Sequence, residues 1–130
     1  MQVLFVEDDP MNRRVVKDML QVVGATMAEA ADAETGLRMI GEGAFNIVLM
    51  DLRMPGMDGL TAIRHLRERT DARATLPVIV VTADAAIDLR ERCMASGADE
   101  VISKPVAMAA LLNAIGRMAS KNSSDDVLLC

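Results

Sequence analysis

Short apolar runs alternate along this chain with segments of helical period, and that alternation constrains the fold more than any other feature of the sequence. The runs lie near Val3 to Val6, Thr26 to Glu29, Asn46 to Met50, Val78 to Val81 and Glu100 to Ile102. Met11, Val15, Val16, Met19, Leu20 and Val23 recur at helical spacing, as do Met108, Leu111, Leu112, Ile115 and Met118. Apolar strands separated by amphipathic helices imply a mostly parallel sheet covered on both faces, so the expected class is α/β with five βα units. Asp9 before Pro10 reads as the N-cap and first residue of the first helix; Gly24 and Gly97 stand where helices one and four should stop. One domain is expected over 1–119. The last stretch, 120–130, is rich in Ser, Asn and Asp, loses both periods, and is expected to be a flexible tail.

Where the runs end, the sequence turns polar. Glu7 and Asp8 follow VLFV, Asp51 follows NIVLM, Thr82 follows PVIVV and Lys104 follows EVIS. Parallel strands point their C-terminal ends toward one edge of a sheet, so groups scattered in sequence meet there. If the strand order reverses beside the first strand, a crevice opens at the ends of strands one and three, and Glu7, Asp8 and Asp51 share it.

Three carboxylates within about 4–6 Å repel, each pair by roughly 4 kcal/mol at an effective dielectric near 20, unless protons or a cation intervene. All-oxygen ligation by few protein groups suits Mg2+, which keeps several waters and accepts a phosphate oxygen. Asp51 then qualifies as a nucleophile toward phosphorus, forming an acyl phosphate. Phosphoryl transfer asks mainly for positioning and charge neutralisation, which gives Lys104 the role of a point charge and Thr82 that of a hydroxyl donor.

A net charge of −5 without any Lys/Arg-rich segment argues against direct nucleic-acid binding. There is no Trp or Tyr and only Phe5 and Phe45 among the aromatics, so a flat cofactor has little to stack on. The longest apolar run falls well short of the roughly 20 residues that span a bilayer, and the N-terminus lacks a signal region, so a cytoplasmic location is expected. Cys93 and Cys130 have neither metal-ligand spacing nor a disulfide framework. The eleven methionines are expected to fill gaps in the core.

With VEDD at 6–9, MDLRMPGMDG at 50–59, VTA at 81–83 and SKP at 103–105 in this order, the chain resembles, over about residues 2–119, the response-regulator receiver domains of two-component signalling, specifically the single-domain, chemotaxis-type members. The resemblance implies a flavodoxin-like (βα)5 doubly wound parallel sheet of strand order 2-1-3-4-5. It makes Asp51 the phosphoacceptor, Thr82 the switch hydroxyl and Lys104 the phosphate-contacting base. It gives Mg2+ the ligands Asp8, Asp51 and the backbone carbonyl of Arg53, with Glu7 acting through water. It also implies a cis bond from Lys104 to Pro105.

The expected partners are a histidine kinase or histidine phosphotransfer protein upstream and a protein target downstream. The expected assembly is a monomer or a weak homodimer through the face of helix four, strand five and helix five, with Ile87, Ala109 and Ala110 as candidate contacts. Such a protein is a phosphoacceptor, promoting its own Mg2+-dependent phosphorylation and dephosphorylation, rather than an enzyme. Arg53 and Asp84 border the crevice in this family's geometry and influence the lifetime of the acyl phosphate; the plain alternative is a solvated arginine and a cap for helix four.

Two positions depart from the common pattern: Val101 stands where many receivers carry a mobile aromatic, and Val106 replaces a frequent Phe. Activation is therefore expected in the loop after strand four and the face of helix four, strand five and helix five. Asp9 and Asp58 read as caps or turn residues, and His65 as a surface residue. The rival readings are a phosphate sink or shuttle, a receiver fragment of a hybrid histidine kinase, and a degenerate receiver that binds partners unphosphorylated. A phosphohydrolase of the haloacid-dehalogenase type needs a second Asp two residues after the nucleophile, where this chain has Arg53. A flavodoxin-like FMN carrier needs hydroxyls in its first loop, where this chain has EDDP.

Overall fold

Successive side chains of a strand face opposite sides of its sheet, and the apolar runs put hydrophobic groups on both. The structure, a computed structural model, describes residues 1–84 and 86–129, with side chains through 118. Its elements follow in the order β1 (Gln2–Val6), α1 (Pro10–Val22), β2 (Thr26–Ala30), α2 (Ala33–Glu42), β3 (Ile47–Asp51), α3 (Gly59–Arg67), a 3-10 turn (Ala72–Thr75), β4 (Val78–Thr82), α4 (Leu89–Ser96), β5 (Glu100–Ser103) and α5 (Met108–Leu129). The strands form one parallel sheet in the order β2-β1-β3-β4-β5, the flavodoxin-like topology that the family resemblance implied. β1 begins one residue before the span read from the sequence and the other four strands end one residue beyond it, so Asp51 and Thr82 are the last residues of β3 and β4.

Two hydrophobic layers sandwich this sheet. Leu4, Val6, Val48, Met50, Val78 and Val80 face Ile40 of α2, Ile63 and Leu66 of α3 and Cys93 of α4. Val3, Phe5, Ile47, Leu49, Ile79 and Val81 face Val16 and Leu20 of α1 and Leu111 and Ile115 of α5. Burying one such large aliphatic or aromatic side chain contributes about 1.5–3 kcal/mol, so these layers outweigh the exposed ion pairs in holding the sheet.

The methionines divide. Met50 is fully buried, Met19, Met27, Met39, Met54, Met57 and Met118 pack partly buried against the two layers, and Met1, Met11 and Met94 are exposed. Core filling thus accounts for most of them but not all.

The helix caps follow the sequence. Asp9 accepts a hydrogen bond from the Met11 amide with Pro10 opening α1, and Asp58 accepts one from the Thr61 amide at the start of α3. Gly97 closes α4 in the left-handed region at φ +113°, where a glycine meets no steric penalty.

Asp84 does not cap α4. That helix begins only at Leu89 behind Asp88, and Asp84 instead turns the intervening loop by accepting from the Ala86 amide. The helical backbone of α5 continues to Leu129, through a stretch read as a tail; it contains no Gly or Pro to stop a helix. The side chains of that stretch and Cys130 lie outside the described residues.

At the N-terminal edge of the sheet one guanidinium closes several loops. Arg67 donates to the carbonyls of Gly97 at 2.8 Å, Ala74 at 2.8 Å and Leu76 at 2.7 Å, and to Asp99 Oδ2 at 3.0 Å. Among the described residues, no helix is long and apolar enough to cross a membrane.

Candidate functional site

β1 and β3 are neighbours while their following helices pack on opposite faces, so the crevice lies at the C-terminal ends of these two strands. Glu7 and Asp8 leave β1, Asp51 ends β3, Thr82 ends β4 and Lys104 follows β5. One carboxylate oxygen each from Glu7, Asp8 and Asp51 lies within 4.8 Å of the others. Glu7 is fully buried, Asp51 and Thr82 are buried, and Asp8 is exposed at the mouth.

Lys104 bridges two of the carboxylates. Its Nζ donates to Glu7 Oε1 at 2.8 Å and stands 3.4 Å from Asp51 Oδ1. The Lys104-Pro105 bond is cis, as the resemblance implied, and the Lys104 amide donates to the Thr82 carbonyl at 2.7 Å.

Loss of hydration, and then the neighbouring Asp51 carboxylate, push the Glu7 carboxyl above its ordinary range, with Lys104 and Asn12 pulling the other way. Burial works against the Lys104 charge, but hydrogen bonding and attraction from Glu7 and Asp51 outweigh it, so its ammonium is held above the ordinary lysine range.

The second oxygen of Glu7, Oε2, is buried and has no hydrogen-bond partner among the described residues. A buried carboxylate oxygen without a partner beside two further carboxylates fits a hard cation such as Mg2+, whose ligands are oxygens and water. Thr82 Oγ1 accepts from the Asp84 amide at 3.0 Å, which leaves its own proton available to the crevice. Across the mouth, Arg53 Nη2 stands 3.4 Å from Asp84 Oδ2, its side chain otherwise largely exposed.

Asp9 and Asp58 serve as caps, outside the carboxylate cluster, and His65 is exposed on α3, as expected. Ile87, Ala109 and Ala110 are exposed, while Val101 and Val106 pack partly buried against the two layers. A cavity of about 430 Å3 lined in part by Phe45, Asn46, Arg73 and Pro77 lies at the opposite edge of the sheet; Arg73 is its only charged residue, so it lacks the convergent groups of the crevice.

Sequence reasoning missed two neighbours of Glu7. Asn12 Nδ2 donates to Glu7 Oε1 at 2.8 Å; Arg13 Nη1 donates to the Glu7 carbonyl at 2.7 Å and its Nε to Glu29 at 3.2 Å. Their position in the first turn of α1, directly after the strand that carries Glu7, was the available signal.

Comparison with known proteins agrees with this geometry. The chain is 37% identical over 121 residues to the sensor histidine kinase RcsC of Salmonella typhi, a match that covers 93% of this chain and 12% of RcsC. It is 36% identical over 118 residues to the response regulator protein FleR of Pseudomonas aeruginosa, covering 91% of this chain and 24% of FleR. It therefore spans only a minor part of these relatives. The receiver domain of the sensor histidine kinase PA1611 of Pseudomonas aeruginosa, solved with a magnesium ion coordinated in its active site cleft, is 32% identical, with a TM-score of 0.82 over 90% of this chain and 95% of that one. The family model of the response regulator receiver domain matches residues 3–116, and with the parallel sheet and the carboxylate crevice in place the chain belongs to the receiver domains of two-component signalling.

Proposed function

We propose that Asp51 accepts a phosphoryl group from the phosphohistidine of a histidine kinase or histidine phosphotransfer protein, and that the acyl phosphate alters the affinity of this domain for a protein partner. The observation that carries this reading is the convergence of Glu7, Asp8 and Asp51 at one sheet edge, with Lys104 against Glu7 and Asp51. An Asp51 carboxylate oxygen attacks phosphorus while the P–N bond breaks, and the electron pair of that bond leaves with the imidazole.

Asp8, Asp51 and the Arg53 carbonyl hold Mg2+ in this reading, with Glu7 acting through water; when bound, the ion offsets the charge of the carboxylates and phosphoryl oxygens. Lys104 trades its contact with Asp51 for a phosphoryl oxygen, and Thr82 turns its free proton toward another. With Val101 in place of an aromatic, the change passes through residues 83–88 and the α4, β5 and α5 face, where Ile87, Ala109 and Ala110 offer contacts to a target or a second copy.

The similarity to RcsC and to the PA1611 receiver favours a second reading, a station in a phosphorelay or a piece of a hybrid kinase. Efficient return of the phosphoryl group to a histidine phosphotransfer protein marks that reading, whereas a one-way switch retains it.

The deciding experiment incubates the protein and Asp51→Asn with acetyl phosphate, with and without Mg2+, and measures intact mass. One added phosphoryl group that requires both Mg2+ and Asp51 is expected. Addition to Asp51→Asn would refute the assignment. Absence of addition together with failure to bind beryllofluoride would leave the degenerate receiver as the better reading.

A further inference from the structure

The two oxygens of Glu7 are unequally served. Oε1 accepts from both Asn12 Nδ2 and Lys104 Nζ, each at 2.8 Å, while Oε2 of the same fully buried side chain accepts from no described residue. A buried carboxylate oxygen left without a donor is costly, so such an atom marks where a ligand or its water belongs. Asn12 reaches Glu7 from the first turn of α1, a half-buried position whose backbone is set by the Asp9 cap and Pro10. Arg13, beside it, holds the Glu7 carbonyl at 2.7 Å, so the backbone under the carboxylate is fastened as well.

The chemical type of residue 12 matters. An amide donates a hydrogen bond without bringing a charge, so it orients the carboxylate and leaves its attraction for a cation undiminished. A lysine or arginine in its place would orient Glu7 but compete with the cation.

We propose that Asn12 is a positioning residue of the divalent-cation site: with Lys104 it commits Oε1 of Glu7 and thereby assigns Oε2 to the cation's water shell. The inference rests on the metal site of the function proposed above and adds a residue to it. Groups that orient metal-binding side chains typically cost 10–100-fold in affinity when removed.

Isothermal titration with MgCl2 tests it, heat being the convenient signal in a chain without Trp or Tyr. The proteins are wild type, Asn12→Ala, the near-isosteric Asn12→Leu, Glu7→Gln, and Glu7→Gln combined with Asn12→Ala, each also melted in EDTA. Asn12→Ala and Asn12→Leu are expected to bind Mg2+ about tenfold more weakly than wild type while melting near it in EDTA. In the Glu7→Gln background, Asn12→Ala is expected to add no further loss, because the carboxylate it orients is gone.

Wild-type affinity in the Asn12 variants overturns the proposal. So does an equal loss in the Glu7→Gln background, or a lowered melting temperature with unchanged affinity, which is the mark of a purely structural role. Should Asn12→Ala fail to fold, Asn12→Leu carries the comparison. If wild type itself takes up no Mg2+, the metal site fails along with the inference, an outcome distinct from wild-type binding matched by the variants.

Discussion

Lys104 Nζ donates to Oε1 of Glu7 at 2.8 Å across 97 positions of sequence, joining the end of β5 to the end of β1. The carboxylate it meets is fully buried. With three carboxylates in one crevice, Lys104 supplies the positive charge that keeps Glu7 and Asp51 from repelling unopposed. Lys104→Met is expected to lower stability without Mg2+ by about 2 kcal/mol, the usual scale for a lost hydrogen bond to a charged group. Added Mg2+ should recover part of that loss, since the variant presents a more negative site. Urea denaturation of both proteins at several Mg2+ concentrations measures the gap, and a gap unchanged by Mg2+ counts against this account.

Gly59 opens α3 against the C-terminal end of β3. A Cβ there would stand 2.3 Å from the Asp51 carbonyl oxygen and 3.0 Å from the Leu52 Cα, and neither backbone atom yields cheaply. Gly59→Ala should therefore destabilise by about 1–3 kcal/mol and slow phosphorylation of Asp51, whose backbone it displaces. Gly116, in α5, has nothing within 4 Å of the same added atom among the described residues. Gly116→Ala is expected to stabilise by about 0.5–1 kcal/mol, leaving phosphorylation unaltered. Thermal melts and acetyl phosphate kinetics on the pair compare the two sites.

Arg67 serves three backbone carbonyls and Asp99 at once. A lysine has one compact ammonium in place of the planar fork and cannot span these acceptors. Arg67→Lys is expected to cost about 2–3 kcal/mol through carbonyls left half-buried without donors. Chemical denaturation reads the loss, and hydrogen exchange should show it concentrated at residues 72–77 and 97–99.

The hydrogen bond from Arg69 draws the Asp71 carboxyl down to about 2 from an ordinary 3.8. A carboxyl with a lowered folded-state value stabilises the fold above its unfolded value and loses that contribution as the pH falls through the folded one. Asp71→Asn should thus melt below wild type at neutral pH, and the two curves should converge between about pH 4 and pH 2. The pair is exposed, so the difference is small and shrinks further in high salt. Melting both proteins across pH 2–7 tests the convergence.

Much of the fold was legible because the three central strands, β1, β3 and β4, are apolar runs buried on both sides, while the edge strands β2 and β5 carry a weaker form of the same signal. The gathering of Glu7, Asp8, Asp51, Thr82 and Lys104 at one sheet edge was legible because all five stand at the ends of strand runs. Asn12 was not, since an Asn in a first helical turn is equally at home as a cap, and only the distance to Glu7 shows its use. The alternative reading of Asp84 as a cap for helix four failed for the same reason: Asp commonly caps helices, and nothing local revealed that α4 would start only at Leu89. The reach of α5 to Leu129 also escaped, because a polar sequence without periodicity carries no signal of helix even where no residue forbids one.

The parallel ladder sets Val6 opposite Met50, Asp51 opposite Val81 and Thr82 opposite Ser103. Inserting or deleting one residue in any of these strands would turn its terminal group to the other face of the sheet. Changes of chain length therefore belong in the connections at the far edge, where a graft, tag or loop extension leaves the spacing of the five chemical groups untouched.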